Sequence, residues 1–252
     1  MLLEGKVAVI SGAASPRGIG LATARLFAAY GARVAILDLD GAAAAEAAVG
    51  LGPEHRGLAC DVTDPEACRR AAAEVLAAFG QVDVLINNAG ITQPVKILEI
   101  TPPDLRRILA VNLDGVLHLS QAFIPHMRER GRGSIACMSS VSAQRGGGIF
   151  GGPHYAAAKA GVLGLAKAMA RELGPDGIRV NCVTPGLIQT DITGDKLTAE
   201  MRQEIVKGIP LGQGHVGQGP GGRLARCHLG LPDKPQPWIS MPPLTSITAP
   251  VT

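Results

Sequence analysis

Short apolar runs alternate with helix-forming stretches along most of this chain. That alternation restricts the possible architectures more than any single motif does. Val7-Ala8-Val9-Ile10 is an apolar run stopped by Ser11-Gly12, and Gly18-Ile19-Gly20 then opens a helical stretch, Leu21 to Tyr30, with Gly31 in the C-cap position. Arg33 to Asp38 is a second strand, followed by an alanine-rich helix to Gly50. Gly57 to Asp61 makes a third strand, Asp64-Pro65 starts a helix through Phe79, and Val82 to Asn87 is a fourth strand. Thr101-Pro102-Pro103-Asp104 supplies an N-cap, a helix-start proline and a first-turn acid for a long helix that carries Asn112 inside it and ends near Arg130. Ser134 to Ser139, Tyr155 to Leu173, Ile178 to Thr184 and Thr198 to Lys207 read as strand, helix, strand and short helix. Such a series predicts an α/β fold, a doubly wound parallel sheet with helices on both faces. Its crossovers are right-handed, and ligands sit beyond the carboxyl ends of the strands.

Composition narrows the partners. Hydrophobic residues make up 46% of the 252 residues but aromatics only 3%, so the core is built from Ala, Val, Leu and Ile. The net charge of +3 comes without a Lys/Arg run or interleaved aromatics, which argues against a nucleic-acid groove. Five scattered cysteines (Cys60, Cys68, Cys137, Cys182, Cys227) have no CxxC spacing and read as free thiols in a reducing compartment. No histidine spacing suits a metal. No apolar run approaches transmembrane length and residues 1–4 are too short for a signal segment, so a cytoplasmic protein without a membrane partner is expected.

Two constellations carry chemistry. Gly12 and Gly18-Ile19-Gly20 lie between the first strand and first helix, where glycines let a dinucleotide pyrophosphate approach the helix N-terminus. Asp38, ending the second strand, is placed to accept hydrogen bonds from the adenosine ribose and to repel a 2′-phosphate, which favours NAD over NADP. Tyr155 and Lys159 stand four residues apart on one helix face, where a cation is expected to lower the phenol's pKa. Ser140 ends the fifth strand and could hydrogen-bond a substrate oxygen, with Ser139 and Ser142 as competitors for that place.

The strings SGAASPRGIG, CDVTD, NNAG, the VN of VNLDG, SSVS, YAAAK and PGLIQT, in this order, resemble the short-chain dehydrogenase/reductase family between about Gly5 and Leu211, in the branch of the 3-oxoacyl-carrier-protein reductases. The resemblance implies a Rossmann-like domain over residues 1–211 and an oxidoreductase of alcohol/carbonyl substrates. It implies a catalytic set of Asn112, Ser140, Tyr155 and Lys159, with Tyr155 as acid/base, Lys159 lowering its pKa and binding the nicotinamide ribose, Ser140 on the substrate oxygen, and Asn112 positioning a water. Asp61 and Val62 would border the adenine; Asn88, Ala89 and Gly90 would line the cofactor ribose; Pro185, Gly186, Ile188 and Thr190 would flank the nicotinamide. A homodimer or homotetramer is implied as well. The glycine loop departs from the family pattern. Five residues separate Gly12 from Gly18 where three are common, and Arg17 in this longer loop could reach a phosphate, which would admit NADP.

After Leu211 the character changes. Residues 212–252 are rich in Gly and Pro without periodicity and are expected to be irregular, not a domain, with the family's last strand missing. Codons can be chosen for Trp238 to Thr252 whose complementary strand, shifted in frame, reads VTGAVIDVNGGMEIH, which resembles the missing ending. An inverted gene end is therefore expected, together with an exposed sheet edge. The alternatives are a dinucleotide-binding protein disabled by this tail and an NADP-dependent 3-oxoacyl reductase.

Overall fold

The computed structural model describes residues 1–148, 150–192, 198–207 and 215–216. The elements in order are β1 (Val7–Ser11), α1 (Ile19–Ala29), β2 (Arg33–Asp38), α2 (Gly41–Val49), β3 (Arg56–Ala59), α3 (Pro65–Phe79), β4 (Val84–Asn87), α4 (Pro102–Leu109), α5 (Gly115–Glu129), β5 (Gly133–Met138), α6 (Ser142–Arg145), α7 (Pro153–Leu173), β6 (Ile178–Val183), β7 (Ile188–Gln189), α8 (Ala199–Lys207) and β8 (His215–Val216). Six strands form one parallel sheet in the order β3-β2-β1-β4-β5-β6. The order reverses direction between β1 and β4, so a crevice opens where the ends of those strands diverge. The expected Rossmann-like α/β architecture is what forms.

Local chemistry sets the helix starts. The Asp40 carboxylate accepts from the Ala42 and Ala43 amides at α2, and Asp64 accepts from the Glu66 amide at α3, where Pro65 occupies the first turn. Thr101 and Asp104 make a reciprocal capping box at α4. Gly80 closes α3 in the left-handed region.

Strand parity then sorts the core. Val7 and Val9 face a cluster with Leu85, Phe123, Ile135 and Val162, under α3, α5 and α7. Ala8 and Ile10 face the opposite cluster with Leu21, Phe27, Ile36 and Ala44, under α1 and α2. Small side chains bring helices close to the sheet. A Cβ on Gly57 of β3 would lie 2.0 Å from the Ala44 carbonyl oxygen and 2.1 Å from its carbon, both backbone atoms of α2. Gly57→Ala is therefore expected to destabilise by roughly 2–3 kcal/mol, since α2 must shift bodily. A denaturation midpoint within error of the parent would contradict this seating.

Several expectations need correction. The third strand ends at Ala59 rather than Asp61, because the Asp61 carboxylate turns the chain by accepting from the Thr63 amide (2.8 Å) and hydroxyl (2.7 Å). The fourth strand starts at Val84, since the Val82 amide donates to His126 Nε2 instead of entering the ladder. The long helix after Thr101 continues to Glu129, but a π turn at Ala110–Asp114 separates α4 from α5. That run, residues 102–129, is long and apolar enough to cross a membrane by length and composition, contrary to the expectation that no apolar run comes close. Its Ile108, Leu119, Phe123 and Met127 are wholly buried in this domain. In the tail expected to be irregular, His215–Val216 pairs in parallel with Ile188–Gln189. The segment proposed to be inverted, and Cys227, lie outside the described residues.

Candidate active site

The crevice between β1 and β4 has one lip made by the glycine-rich loop. Ser11 ends β1, and its hydroxyl accepts from the amides of Asn88 (3.0 Å) and Ala89 (3.1 Å). Asn88 Nδ2 donates back to the carbonyls of Ser11 (2.9 Å) and Gly12 (2.8 Å). Gly12 adopts φ +61°, and a Cβ there would lie 2.6 Å from the Ala89 Cα. Loop and strand end are thus sutured face to face, which makes Asn88 and Ala89 struts of the cradle. Gly18 starts α1 with no side-chain cap, and the first turn carries no acid. Its amide groups and positive dipole end are left for an external anion, so the loop fits a dinucleotide pyrophosphate.

Asp38 and Arg17 have duties that spacing did not show. The Asp38 carboxylate accepts from the Ala14 amide at 2.9 Å, so it fastens the glycine loop as well as ending β2. Arg17 does not stand free in solvent. Its Nε donates to Asp191 Oδ1 at 2.5 Å and its amide to Asp191 Oδ2 at 2.9 Å. Ile19 and Gly20 form the first turn of α1. Val62 is buried at the far rim, with its carbonyl 3.0 Å from His118 Nδ1, while Asp61 beside it is exposed.

The opposite lip carries the expected catalytic set. Extended Gly152 and Pro153 launch α7, which sets Tyr155 and Lys159 one turn apart with the ammonium 5.9 Å from the ring centroid. Lys159 is 4% exposed, and its Nζ donates to the Met138 carbonyl at 2.8 Å. Burial pushes its pKa down to about 8. Burial raises the Tyr155 pKa, opposed by a hydrogen bond with Ser140. The expected lowering of Tyr155 by Lys159 is therefore not what this conformation has: the ammonium is aimed at Met138, and desolvation of the phenolate dominates. Ser139 Oγ donates to the Lys159 carbonyl at 2.7 Å and is structural, whereas Ser140 Oγ accepts from the Ser142 amide at 3.1 Å and partners Tyr155.

Asn112 sits in the π turn, wholly buried, and its Nδ2 donates to the carbonyls of Ile91 (2.9 Å) and Ile108 (3.0 Å). Its Oδ1 is buried without a partner. A Cβ on Gly90 would meet that Oδ1 at 2.8 Å and Lys159 Nζ at 3.3 Å, so both polar atoms border one spot that only glycine leaves open. The π turn lets the amide face this spot while sparing the helix. Beyond β6, the Pro185 carbonyl accepts from the Val141 amide at 3.0 Å. Ile188 and Thr190 are buried, and Gly186 is exposed.

A family model described as enoyl-(acyl carrier protein) reductase matches residues 12–218. A short-chain type dehydrogenase/reductase of Sinorhizobium fredii is 73% identical over 215 residues, 84% of this chain and 85% of the relative. The chain belongs to the short-chain dehydrogenase/reductase family. A 3-oxoacyl-[acyl-carrier-protein] reductase of Thermotoga maritima is 40% identical over 84% of this chain and 86% of the relative. The crystal structure of a 3-ketoacyl-(acyl-carrier-protein) reductase from Brucella melitensis, complexed with NADH, matches at TM-score 0.80 and 33% identity over 91% of each chain.

This dehydrogenase/reductase is accordingly an oxidoreductase that uses a nicotinamide cofactor on a small-molecule alcohol/carbonyl pair. Three of its features escaped sequence reasoning. Asp191 reaches across the crevice to the glycine loop, a contact between residues 174 positions apart that no local pattern announces. Gln93 bridges His154 Nε2 (3.1 Å) and Asp104 (2.8 Å), pinning the start of α7 to α4. The Met138 carbonyl, anchor of Lys159, is a backbone group without a sequence signature.

Proposed function

We propose that this chain is an NAD-preferring member of the family in which Tyr155 exchanges the proton, Ser140 holds the substrate oxygen, Lys159 and Asn112 serve the tyrosine, and residues 1–211 form the catalytic domain. The observation that carries this reading is the Tyr155–Ser140 pair at the mouth of the crevice, with Lys159 buried behind it. A bound nicotinamide supplies the hydride-exchanging carbon. Tyr155, kept protonated near neutral pH by its raised pKa, donates to the carbonyl oxygen on reduction; the phenolate takes the alcohol proton on oxidation. Ser140 shares the charge that develops on that oxygen. The orphaned Asn112 Oδ1 beside Lys159 is the place for a water that refills the proton.

Gly12, Gly18, Ile19 and Gly20 would cradle the pyrophosphate and Asp38 would hold the ribose. Asp61 and Val62 would bound the adenine, with Asn88, Ala89 and Gly90 beneath the ribose and Pro185, Gly186, Ile188 and Thr190 around the nicotinamide. Asp38 favours NAD, because a carboxylate there repels a 2′-phosphate. NADH is expected to bind at least about tenfold more tightly than NADPH, a gap of about 1.4 kcal/mol. Fluorescence titration with both cofactors checks this, and the opposite order would transfer the chain to the NADP-dependent reading. Two relatives are named for reducing acyl groups on acyl carrier protein, which makes 3-oxoacyl thioesters the first substrates to screen. A homo-oligomer in the cytoplasm completes the proposal. Binding of NADH with no turnover across that screen would favour the non-catalytic alternative.

A further inference from the structure

The glycine loop makes an ionic contact that the cofactor reading leaves unexplained. Asp191 stands one residue past Thr190, on the nicotinamide side of the crevice. Its Oδ2 accepts from Ser15 Oγ at 2.6 Å and from the Arg17 amide at 2.9 Å, while its Oδ1 accepts from Arg17 Nε at 2.5 Å. The hydrogen bond from Ser15, with those from Arg17, holds the Asp191 carboxyl below the usual carboxylate range, so it is an anion at neutral pH. Ser15 and Arg17 both fall in the stretch between Gly12 and Gly18 that is two residues longer than the family's common spacing. The longer loop therefore carries both the cation and the groups that bind its counter-ion.

The position of this pair matters because of Asp38. That carboxylate accepts from the Ala14 amide of the same loop, so Arg17 lies three residues from the backbone group that Asp38 holds. Arg17 is the cation of this loop, the group that a 2′-phosphate at the end of β2 would need. Its side chain is 58% exposed but already neutralised, with its Nε donated to Asp191. A guanidinium so engaged must give up its charge-assisted Nε hydrogen bond to Asp191 before it can swing fully to a phosphate.

We infer that Asp191 is a cofactor-selectivity residue: by holding Arg17 across the crevice it withholds the loop's cation from a 2′-phosphate and reinforces the preference set by Asp38. This deepens the proposed function and rests on a dinucleotide docking at the glycine loop. Asp191 touches no part of that phosphate itself and acts through Arg17.

Equilibrium binding of NADH and NADPH, read by fluorescence titration on the full chain, tests it. In Asp191→Asn, a near-isosteric change, the NADPH Kd is expected to fall at least about fivefold while the NADH Kd moves by less than about twofold. The gain for NADPH is expected to disappear in the double variant Arg17→Ala/Asp191→Asn. Asp191→Ser, which also removes the charge, is expected to repeat the result and guards against a fold specific to one variant. An unchanged NADPH/NADH ratio in both single variants overturns the inference, as does a gain that survives loss of Arg17. A parent chain that binds neither nucleotide overturns the cofactor reading itself, an outcome separate from an unchanged ratio in a chain that binds.

Discussion

Tyr155→Phe is expected to lower turnover by about 10²- to 10⁴-fold, the range that one positioned acid/base contributes, and to leave the NADH Kd within about threefold of the parent. The substitution keeps the ring that packs over Gly151, where a Cβ would already lie 2.6 Å from the tyrosine's Cδ1, so the crevice keeps its shape. What it removes is the hydroxyl that partners Ser140. Ser139 is committed to the Lys159 carbonyl and Lys159 donates to the Met138 carbonyl, and the Ser140 hydroxyl that remains is a far weaker acid than a phenol. A cofactor-resolved screen of alcohols and carbonyl compounds with both proteins provides the measurement. Undiminished rates in the variant would remove Tyr155 from the mechanism.

Lys159→Met should separate stability from activity. The lysine is buried, and its pKa is pushed down from 10.5 to about 8 by desolvation. At this group the unfolded chain binds more protons than the folded one between about pH 8 and 10.5, so the lysine's own contribution to stability rises with pH across that window, while the buried Cys137 and Cys182 thiols, pushed up to about 12 and about 11, pull the other way above pH 9.0. Below pH 8 the cost of the buried cation is fully present, roughly 3 kcal/mol at 1.36 kcal/mol for each pH unit. Methionine relieves it but strands the Met138 carbonyl, which takes back roughly 1–3 kcal/mol. The variant is therefore expected to match or exceed the parent's stability at pH 7, and its stability relative to the parent is expected to fall as pH rises from about 8 to 10.5. Turnover is expected to fall by about 10²-fold or more, because the ammonium that borders the Gly90 spot together with Asn112 Oδ1 is lost from the proposed proton path. Urea denaturation at several pH values, beside the same substrate screen, reads both effects. Identical pH slopes for the two proteins would mean that the lysine is not the titrating group.

The sheet and its crossovers were legible because their signals are local. Val7–Ser11, Arg33–Asp38 and Ile178–Val183 are short apolar runs between turn residues, and Asp64-Pro65 and Thr101-Pro102 announce helices through groups within a few residues of each other. Errors gathered where a hydrogen bond outside the ladder took a residue from its strand: at Asp61 the partner is Thr63, two residues on, and at Val82 the backbone amide donates to the distant His126 ring. The π turn at Ala110–Asp114 was invisible for a related reason. VNLDG is made mostly of weak helix formers, but nothing in their order separates a π turn from an α turn, and in the fold the Asn112 amide donates to the Ile91 carbonyl as well as to Ile108 of its own helix.

The site divides along the same line. Spacing alone put Tyr155 and Lys159 on one helix face and the glycines between a strand and a helix, since periodicity and chain order fix those relations wherever the elements end up. Which serine meets the tyrosine, where the lysine points, how Asn112 and Lys159 come to border Gly90, and that Asp191 seizes Arg17 depend on elements far apart in sequence. These were decided only when the sheet brought the ends of β1, β4 and β5 side by side. Hydrogen bonds and desolvation act over a few ångströms of space, and the chain's own order carries no measure of that distance until it has folded.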